Sequence, residues 1–396
     1  MQATGIIAEY NPFHNGHQYH IRQAKKLTQQ PVIVAMSGSF MQRGEPAILS
    51  KWQRAALAVS CGADLVLELP CAFTLRSAEF FAQGGVSLLD AAGCVNALCC
   101  GVESADCDFP ALARIACDAG VQAQLQALLR QGTSYASAWE QLFAAHSEKL
   151  DKPLSSPNDI LALSYTQAII RHGYDIEPLY IQRRDSGYNS TEISSTLASA
   201  TAIRQALATG NASWQQAVPP AVQNALPHAG YDERLLWQLI SYRLRLLSPE
   251  EIAARTECSE GLENRLKQAA DCHSLAEAVA ACSSKRYTAS RCRRLLLQLL
   301  CDVSRETWAQ QHAAYLRVLA FNDTGRQLLK QMKKTAALPL ITKLGRGWQY
   351  DLGQAEACHK QLALELKATD VWSLLQKRPE LNRQGNDYYM SPAYVK

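Results

Sequence analysis

The stretch "GIIAEYNPFHNGHQYH" places two histidines, His14 and His17, on either side of Gly16, just after an Asn-Pro break. Asn11, preceding Pro12, is biased toward extended geometry, so a strand should end there and a turn should lead into a helix. At i and i+3 the two imidazoles then share a face of the first helical turn. The free N–H groups and positive dipole end of such a terminus form an anion site, and Gly16 would let a phosphate approach the backbone. Three assignments compete. A metal needs further ligands, and no obvious one stands at suitable spacing; a packed pair on a helix face needs no ligand at all. Imidazole donors beside helix N–H groups would suit the charge that builds on a triphosphate as pyrophosphate departs.

Elements to hold these residues are readable nearby. "TGIIAE" (Thr4 to Glu9), "PVIVAM" (Pro31 to Met36), "DLVLEL" (Asp64 to Leu69) and "VNALCCG" (Val95 to Gly101) are continuously apolar runs separated by amphipathic stretches. That rhythm predicts an α/β fold with a doubly wound parallel sheet, and the histidines at the carboxyl edge of its first strand. A mainly helical segment from about Phe109 to His172 precedes one more strand, Asp175 to Arg184. The Ser- and Thr-rich stretch that follows, Asp185 to Ser199, has the composition of a loop over a site. Residues from about Asp232 to Asp323 read as helical throughout, with a short α/β portion after Ala336. The expected division is therefore 1–210 for a catalytic domain and 211–396 for a mainly helical one.

Other residues are candidates for function. The loop "SGSFMQRGEP", with Gly38, Arg43 and Gly44, follows the second strand and should reach the same edge of the sheet. Lys51 and Arg54 open the next helix, as phosphate ligands or as surface ion pairs. Lys285, Arg286, Arg291, Arg293 and Arg294 crowd one stretch around Tyr287 with no acid among them, a pattern suited to RNA phosphates and a stacked base. Arg326, Lys330, Lys333 and Lys334 form a second run. Cys99 and Cys100 read as a buried strand end.

Composition narrows the class. A chain of 396 residues with 47% hydrophobic content can bury more than one core, and the +4 formal charge is too mild to argue a nucleic-acid partner without local clusters. No run of about 20 apolar residues occurs and no leader is evident, so a cytoplasmic protein without a membrane partner is expected. Thirteen cysteines with no CxxC pair read as reduced thiols, and no metal site is expected.

His14-Asn15-Gly16-His17 resembles the HxGH signature of the nucleotidylyltransferases, and "SATAIR" (Ser199 to Arg204) resembles their second signature, with Thr201 and Arg204 kept and Ala198 and Ala200 departing from it. More narrowly, "MSGSFMQRGEPAILSKWQRA", "GADLVLELP", "SPNDILALSY" and "KRYTASRCRRLLL" resemble the bacterial tRNA(Met) cytidine acetate ligases. The resemblance implies a Rossmann-like nucleotidylyltransferase domain followed by a mainly helical, tRNA-binding C-terminal domain. It implies an ATP-dependent ligase: acetate becomes acetyladenylate, and the acetyl group passes to N4 of the wobble cytidine of elongator tRNA(Met). ATP, with Mg²⁺ on its phosphates, would lie on Ile7, Ala8, Glu9, Tyr10, Asn11, Pro12, Phe13, His14, Asn15, Gly16, His17, Gln18, Tyr19 and His20. Gly101, Asn158, Arg183, Arg184, Ser199, Thr201 and Arg204 would complete that site. His14 and His17 would be catalytic; the loop with Arg43 would lie at the acetyl site or along the tRNA path, and the Lys285 to Arg294 cluster would meet the tRNA. A small-molecule adenylyltransferase and a non-catalytic nucleotide- and RNA-binding factor are the alternatives.

Overall fold

The computed structural model describes residues 1–131, 133, 135–146, 156–183, 196–258, 261–284, 286–348, 355–378 and 380–396. Arg184, Lys285 and most of the Ser- and Thr-rich stretch (185–195) lie outside the described residues.

The strands are β1 (Ala3–Ala8), β2 (Val32–Ser37), the hairpin β3 (Phe40–Met41) and β4 (Glu45–Pro46), β5 (Leu65–Leu69), β6 (Val95–Val102), β7 (Glu177–Gln182), β8 (Leu316–Phe321), β9 (Leu340–Ile341) and β10 (Ala393–Tyr394). One sheet has the order β10-β8-β5-β2-β1-β6-β7, with β9 beside β8. β1, β2, β5, β6 and β7 run parallel; the first four are the largely apolar runs expected of strands covered on both faces, and β7 (EPLYIQ) is the partly exposed edge. Alternation confirms the two faces: Ile33, Ala35, Leu65 and Leu67 enter one core, whereas Val32, Val34, Met36 and Val66 enter the other.

Two helices begin at the carboxyl edge of this sheet: α1 (Asn15–Thr28) after β1, and α2 (Lys51–Ser60) after the β3–β4 hairpin. Beyond residue 200 the described chain is mainly helical up to Trp308, and the helix Ala289–Leu300 belongs to this part. Past Trp308 the expectation of helices throughout, to about Asp323, fails. Leu316–Phe321 is β8, antiparallel to β5, and β10 lies beside it, so the chain after 211 is not one helical unit but returns to complete the first sheet. A six-residue apolar run cannot be told from a buried helical segment by periodicity, and its pairing with β5 decided its form.

The return is fastened by charge. Lys51 Nζ lies 2.6 Å from Glu68, 2.9 Å from Asp387 and 3.4 Å from Glu365, and Arg317 lies 2.7 Å from Asp387, all of them buried. Arg54 is equally buried and donates to the carbonyls of Glu9, Ser37, Gly38 and Leu49. Neither residue is the surface cation or phosphate ligand expected of it; both hold the carboxyl edge of the sheet together from inside.

Candidate active site

From β1 the chain steps outward to β2 and β5, then crosses back to β6 on the other side of β1. The carboxyl ends of β1 and β6 therefore flank a topological switch point, where open α/β sheets leave a crevice. A cavity of about 620 Å³ lies there. Its walls include Ile7, Ala8, Glu9, Tyr10 and Asn11 from the end of β1, and Cys99, Cys100 and Gly101 from β6. Five helices also begin on it: α1 at His14, Ala78–Ala91 at Ala78, Pro157–His172 at Pro157 and Asn158, Ala200–Ala208 at Ser199 to Thr201, and Ala289–Leu300 at Thr288 and Ser290. Each contributes a positive dipole end, so the cavity is built to take an anion.

His14 caps α1 rather than sitting in its first turn. Its Nδ1 accepts from Gly16 N–H at 3.1 Å, while Nδ1 of His17 accepts from the His14 N–H at 3.2 Å. The rings stack with centroids 3.6 Å apart, and Tyr10 and Phe13 pack edge-on or tilted against His17. With both Nδ1 atoms accepting, each neutral ring carries its proton on Nε2 as a donor. Burial, then the positive charge of Arg183, pushes His14 down to about 3; burial, then His14, holds His17 well below its ordinary value. His20 is pushed down to about 4 by burial and Arg183, and its Nε2, on the same cavity, is buried without a partner. Burial favours the neutral form of all three rings, and in His14 and His17 that form presents Nε2–H as a donor, which suits phosphate.

The second signature arrives on the helix Ala200–Ala208, capped by Ser199, whose hydroxyl accepts from Ala202 N–H at 3.1 Å. Arg204 reaches back to the first signature, donating to the Asn11 carbonyl at 2.7 Å and pairing with Glu45 at 2.8 Å. On the β6 side, Glu103 accepts from Asn158 at 2.6 Å and from Ser156, and lies 3.6 Å from Arg183. Asp159 in turn accepts from the Glu103 N–H at 2.8 Å, fixing the helix start to the strand end. At Gly101 a Cβ would meet only ordinary contact, 3.5 Å from Arg183 Cγ, so the chain's own packing does not demand a glycine there.

A family model described as HIGH Nucleotidyl Transferase matches residues 1–387. Proteins named tRNA(Met) cytidine acetate ligase are similar along nearly the whole chain. That of Leuconostoc mesenteroides is 39% identical over 95% of this chain and 95% of its own length; that of Alkaliphilus metalliredigens is 36% identical over 100% and 99%. The chain belongs to the tRNA(Met) cytidine acetate ligase family. Among solved structures, Thermotoga maritima TmcAL bound with alpha-thio ATP matches with a TM-score of 0.89 and 31% identity, and its apo form with 0.91 and 30%, each over 100% of both chains. The Rossmann-like, mostly parallel fold expected from the sequence is thus the fold of this family.

In this member of the tRNA(Met) cytidine acetate ligase family, the expected nucleotide residues divide by position. Ile7 to Asn11, His14, His17, His20, Gly101, Asn158, Arg183, Ser199, Thr201 and Arg204 face the cavity. Gly16 and Tyr19 line a smaller pocket beside it, with Leu197. Neither pocket is lined by Pro12, Phe13, Asn15 or Gln18. Phe13 is core, and Asn15 donates to the carbonyls of Thr196 and Gln216, which anchors the second signature's approach to α1. Arg294, expected on a tRNA surface, and Arg43, expected at the acetyl site or along the tRNA path, both line the cavity. Tyr287 is only 7% exposed, with the Arg291 guanidinium over its ring, so its face is covered from within the chain and is not offered to a base. Burial lifts the Cys99 thiol to about 12, leaving it inert at the strand end. The expected residues gave no hint of Glu45 or Glu103, which orient Arg204, Arg183 and Asn158 from strand ends distant in sequence.

Proposed function

We propose that this protein is an ATP-dependent RNA-modifying ligase that activates acetate as acetyladenylate and transfers the acetyl group to N4 of the wobble cytidine of elongator tRNA(Met), giving N4-acetylcytidine, in the cytoplasm. The observation that carries this reading is the stacked His14–His17 pair: two Nε2–H donors fixed by backbone N–H groups at a helix terminus, on a fold shared with a TmcAL bound with alpha-thio ATP. The triphosphate would run along the N-termini of α1 and of Ala200–Ala208, with Arg183, Asn158 and Thr201 beside it and the nucleotide against Gly101. The cavity offers mainly N–H donors, and among the described residues no three His, Cys, Asp or Glu could hold an ion together. Mg²⁺ would therefore enter as part of the nucleotide substrate.

An acetate oxygen attacks the α-phosphorus as pyrophosphate leaves, and no proton changes hands. The protein's task is then positioning and stabilisation of charge, which neutral, fixed donors perform without reorganising. In the second half-reaction the wobble cytidine must leave the anticodon stack to reach the mixed anhydride. Arg286, Arg291 and Arg293, with Lys285, are the cations proposed to meet the tRNA backbone. The test is direct. Purified protein with ATP and acetate should release pyrophosphate in an acetate-dependent manner, and mass spectrometry of elongator tRNA(Met) should then find the acetyl group on the wobble cytidine. If pyrophosphate release ignores acetate, the activation step is wrong. A His17→Ala protein that still acetylates tRNA would favour a role without catalysis by this pair.

A further inference from the structure

Acetate is an anion that must settle beside a triphosphate, and neutral histidines cannot hold it there. Resting on the acetyl-transfer reading above, we infer that Arg294 is the acetate-binding residue, receiving the carboxylate where Gln42, Ala78 and Phe81 close the cavity. Arg294 projects from the helix Ala289–Leu300 into the cavity shared with His14 and His17. It is half-buried, and its Nη1 donates to the Gln42 carbonyl at 2.9 Å. The other arginines of the nucleotide end already have carboxylate partners: Arg183 has Glu103 at 3.6 Å and Arg204 has Glu45 at 2.8 Å. Among the described residues no carboxylate stands within ion-pair distance of Arg294, and Glu257 and Glu9 act on it from farther off. Burial lowers its pKa only to about 10, so it stays charged at neutral pH. A largely desolvated guanidinium with donors to spare is stabilised most by a carboxylate in its fork, a geometry lysine cannot reproduce.

The surroundings fix this group relative to the phosphates. The Gln42 peptide is held from both sides: its N–H donates to Glu9 Oε1 at 2.6 Å and its carbonyl accepts from Arg294. Glu9 directly follows β1, from which the chain turns into α1, so the guanidinium is tied through the backbone of a single residue, Gln42, to the segment that leads to the histidines. Gly44 makes the approach close. Its φ is +76°, and a Cβ there would lie 2.5 Å from Arg293 Cβ and 2.7 Å from Arg294 N. Gln42 also donates to the Arg76 carbonyl at 3.2 Å, bringing the start of Ala78–Ala91 alongside. Met41, Ala78 and Phe81 give that end of the cavity apolar walls suited to a methyl group. From this position one carboxylate oxygen forms the new bond to the α-phosphorus, the bond to the bridging oxygen of the β-phosphate breaks, and its electron pair leaves with pyrophosphate.

The experiment is acetate-dependent ATP–pyrophosphate exchange by the full-length protein, with acetate and ATP varied separately, for wild type, Arg294→Met and Arg294→Lys. Loss of a charge-assisted bidentate contact should raise the acetate KM about tenfold or more in Arg294→Met, with Arg294→Lys intermediate and the ATP KM within about twofold. An acetate KM unchanged in either folded variant overturns the assignment. So does a change confined to the ATP KM, or to the tRNA KM in the complete reaction, which would make Arg294 a phosphate contact. If Arg294→Met does not fold, Arg294→Lys alone decides, because it keeps the charge and loses the fork. Wild type that shows no acetate-dependent exchange at all would instead sink the activation step on which the assignment rests.

Discussion

His14 and His17 stack at 3.6 Å while each turns Nδ1 to a backbone N–H, so two donors are held by backbone hydrogen bonds, with Tyr10 and Phe13 packed on the His17 ring. Replacing either with alanine removes one fixed donor and loosens the other. His14→Ala or His17→Ala should slow acetate-dependent pyrophosphate release about 10²- to 10³-fold, as loss of a transition-state donor does elsewhere, with tRNA binding unaltered. Single-turnover pyrophosphate release and a filter-binding isotherm check the two halves.

The same histidines make stability sensitive to acid. Their folded pKa values lie below the ordinary value: about 3 for His14, about 4 for His20, and well below it for His17, mainly through burial. An unfolded chain therefore takes up protons first as pH falls below about 6.5, and the contribution these groups make is full above that pH and lost progressively on the way down to their folded values. Thermal unfolding should show Tm falling between about pH 7 and pH 5, with a shallower slope in His20→Gln. Pyrophosphate release, by contrast, should show no imidazole titration between about pH 6 and pH 8.

Arg204 spans two parts of the site, the Asn11 carbonyl at 2.7 Å and Glu45 at 2.8 Å. A lysine keeps the charge but lacks the fork that serves both. Arg204→Lys should raise the ATP KM about tenfold, and Glu45→Gln should do so less, since it leaves the Asn11 contact intact. Initial-rate kinetics with ATP varied would decide; equal effects would mean that the Glu45 pair alone matters.

Lys51 sits among Glu68, Glu365 and Asp387 with no exposure. Lys51→Met leaves Arg317 as the one remaining cation against these buried carboxylates among the described residues and should cost about 3–5 kcal/mol in denaturant unfolding. Glu365→Gln should cost far less near neutral pH. Burial and the neighbouring Glu68 raise the Glu365 pKa, so the amide resembles the protonated form that these surroundings favour.

Much of this was legible beforehand, for physical reasons. β1, β2, β5 and β6 are continuously apolar because both faces are covered, and the Asn-Pro break with the paired histidines marks where β1 gives way to α1. What escaped depended on partners distant in the chain. Lys51 and Arg54 open a helix like any surface cations; Glu365, Thr369 and Asp387 make the first interior, and the carbonyls of Glu9, Ser37, Gly38 and Leu49 hold the second. β8 is too short to declare itself without β5. Glu45 and Glu103 carry no motif, and their roles come from arginines about 160 and 80 positions away, a separation set by the fold. Arg294 sits in a basic stretch that points to RNA until Gln42 is seen to draw it inward.

The return of β8 and the helix Glu356–Leu374 to the first sheet also bears on how the chain is made. Lys51 donates to Thr369, 318 positions later, at 2.9 Å, and shares its charge with Asp387 beyond that. On the ribosome the opening third can lay down β1, β2 and β5, yet it holds an interior ammonium whose counter-charges have not all been synthesised. Until the stretch carrying Glu365, Thr369 and Asp387 has been made, that half-built edge is open to water and to chaperones.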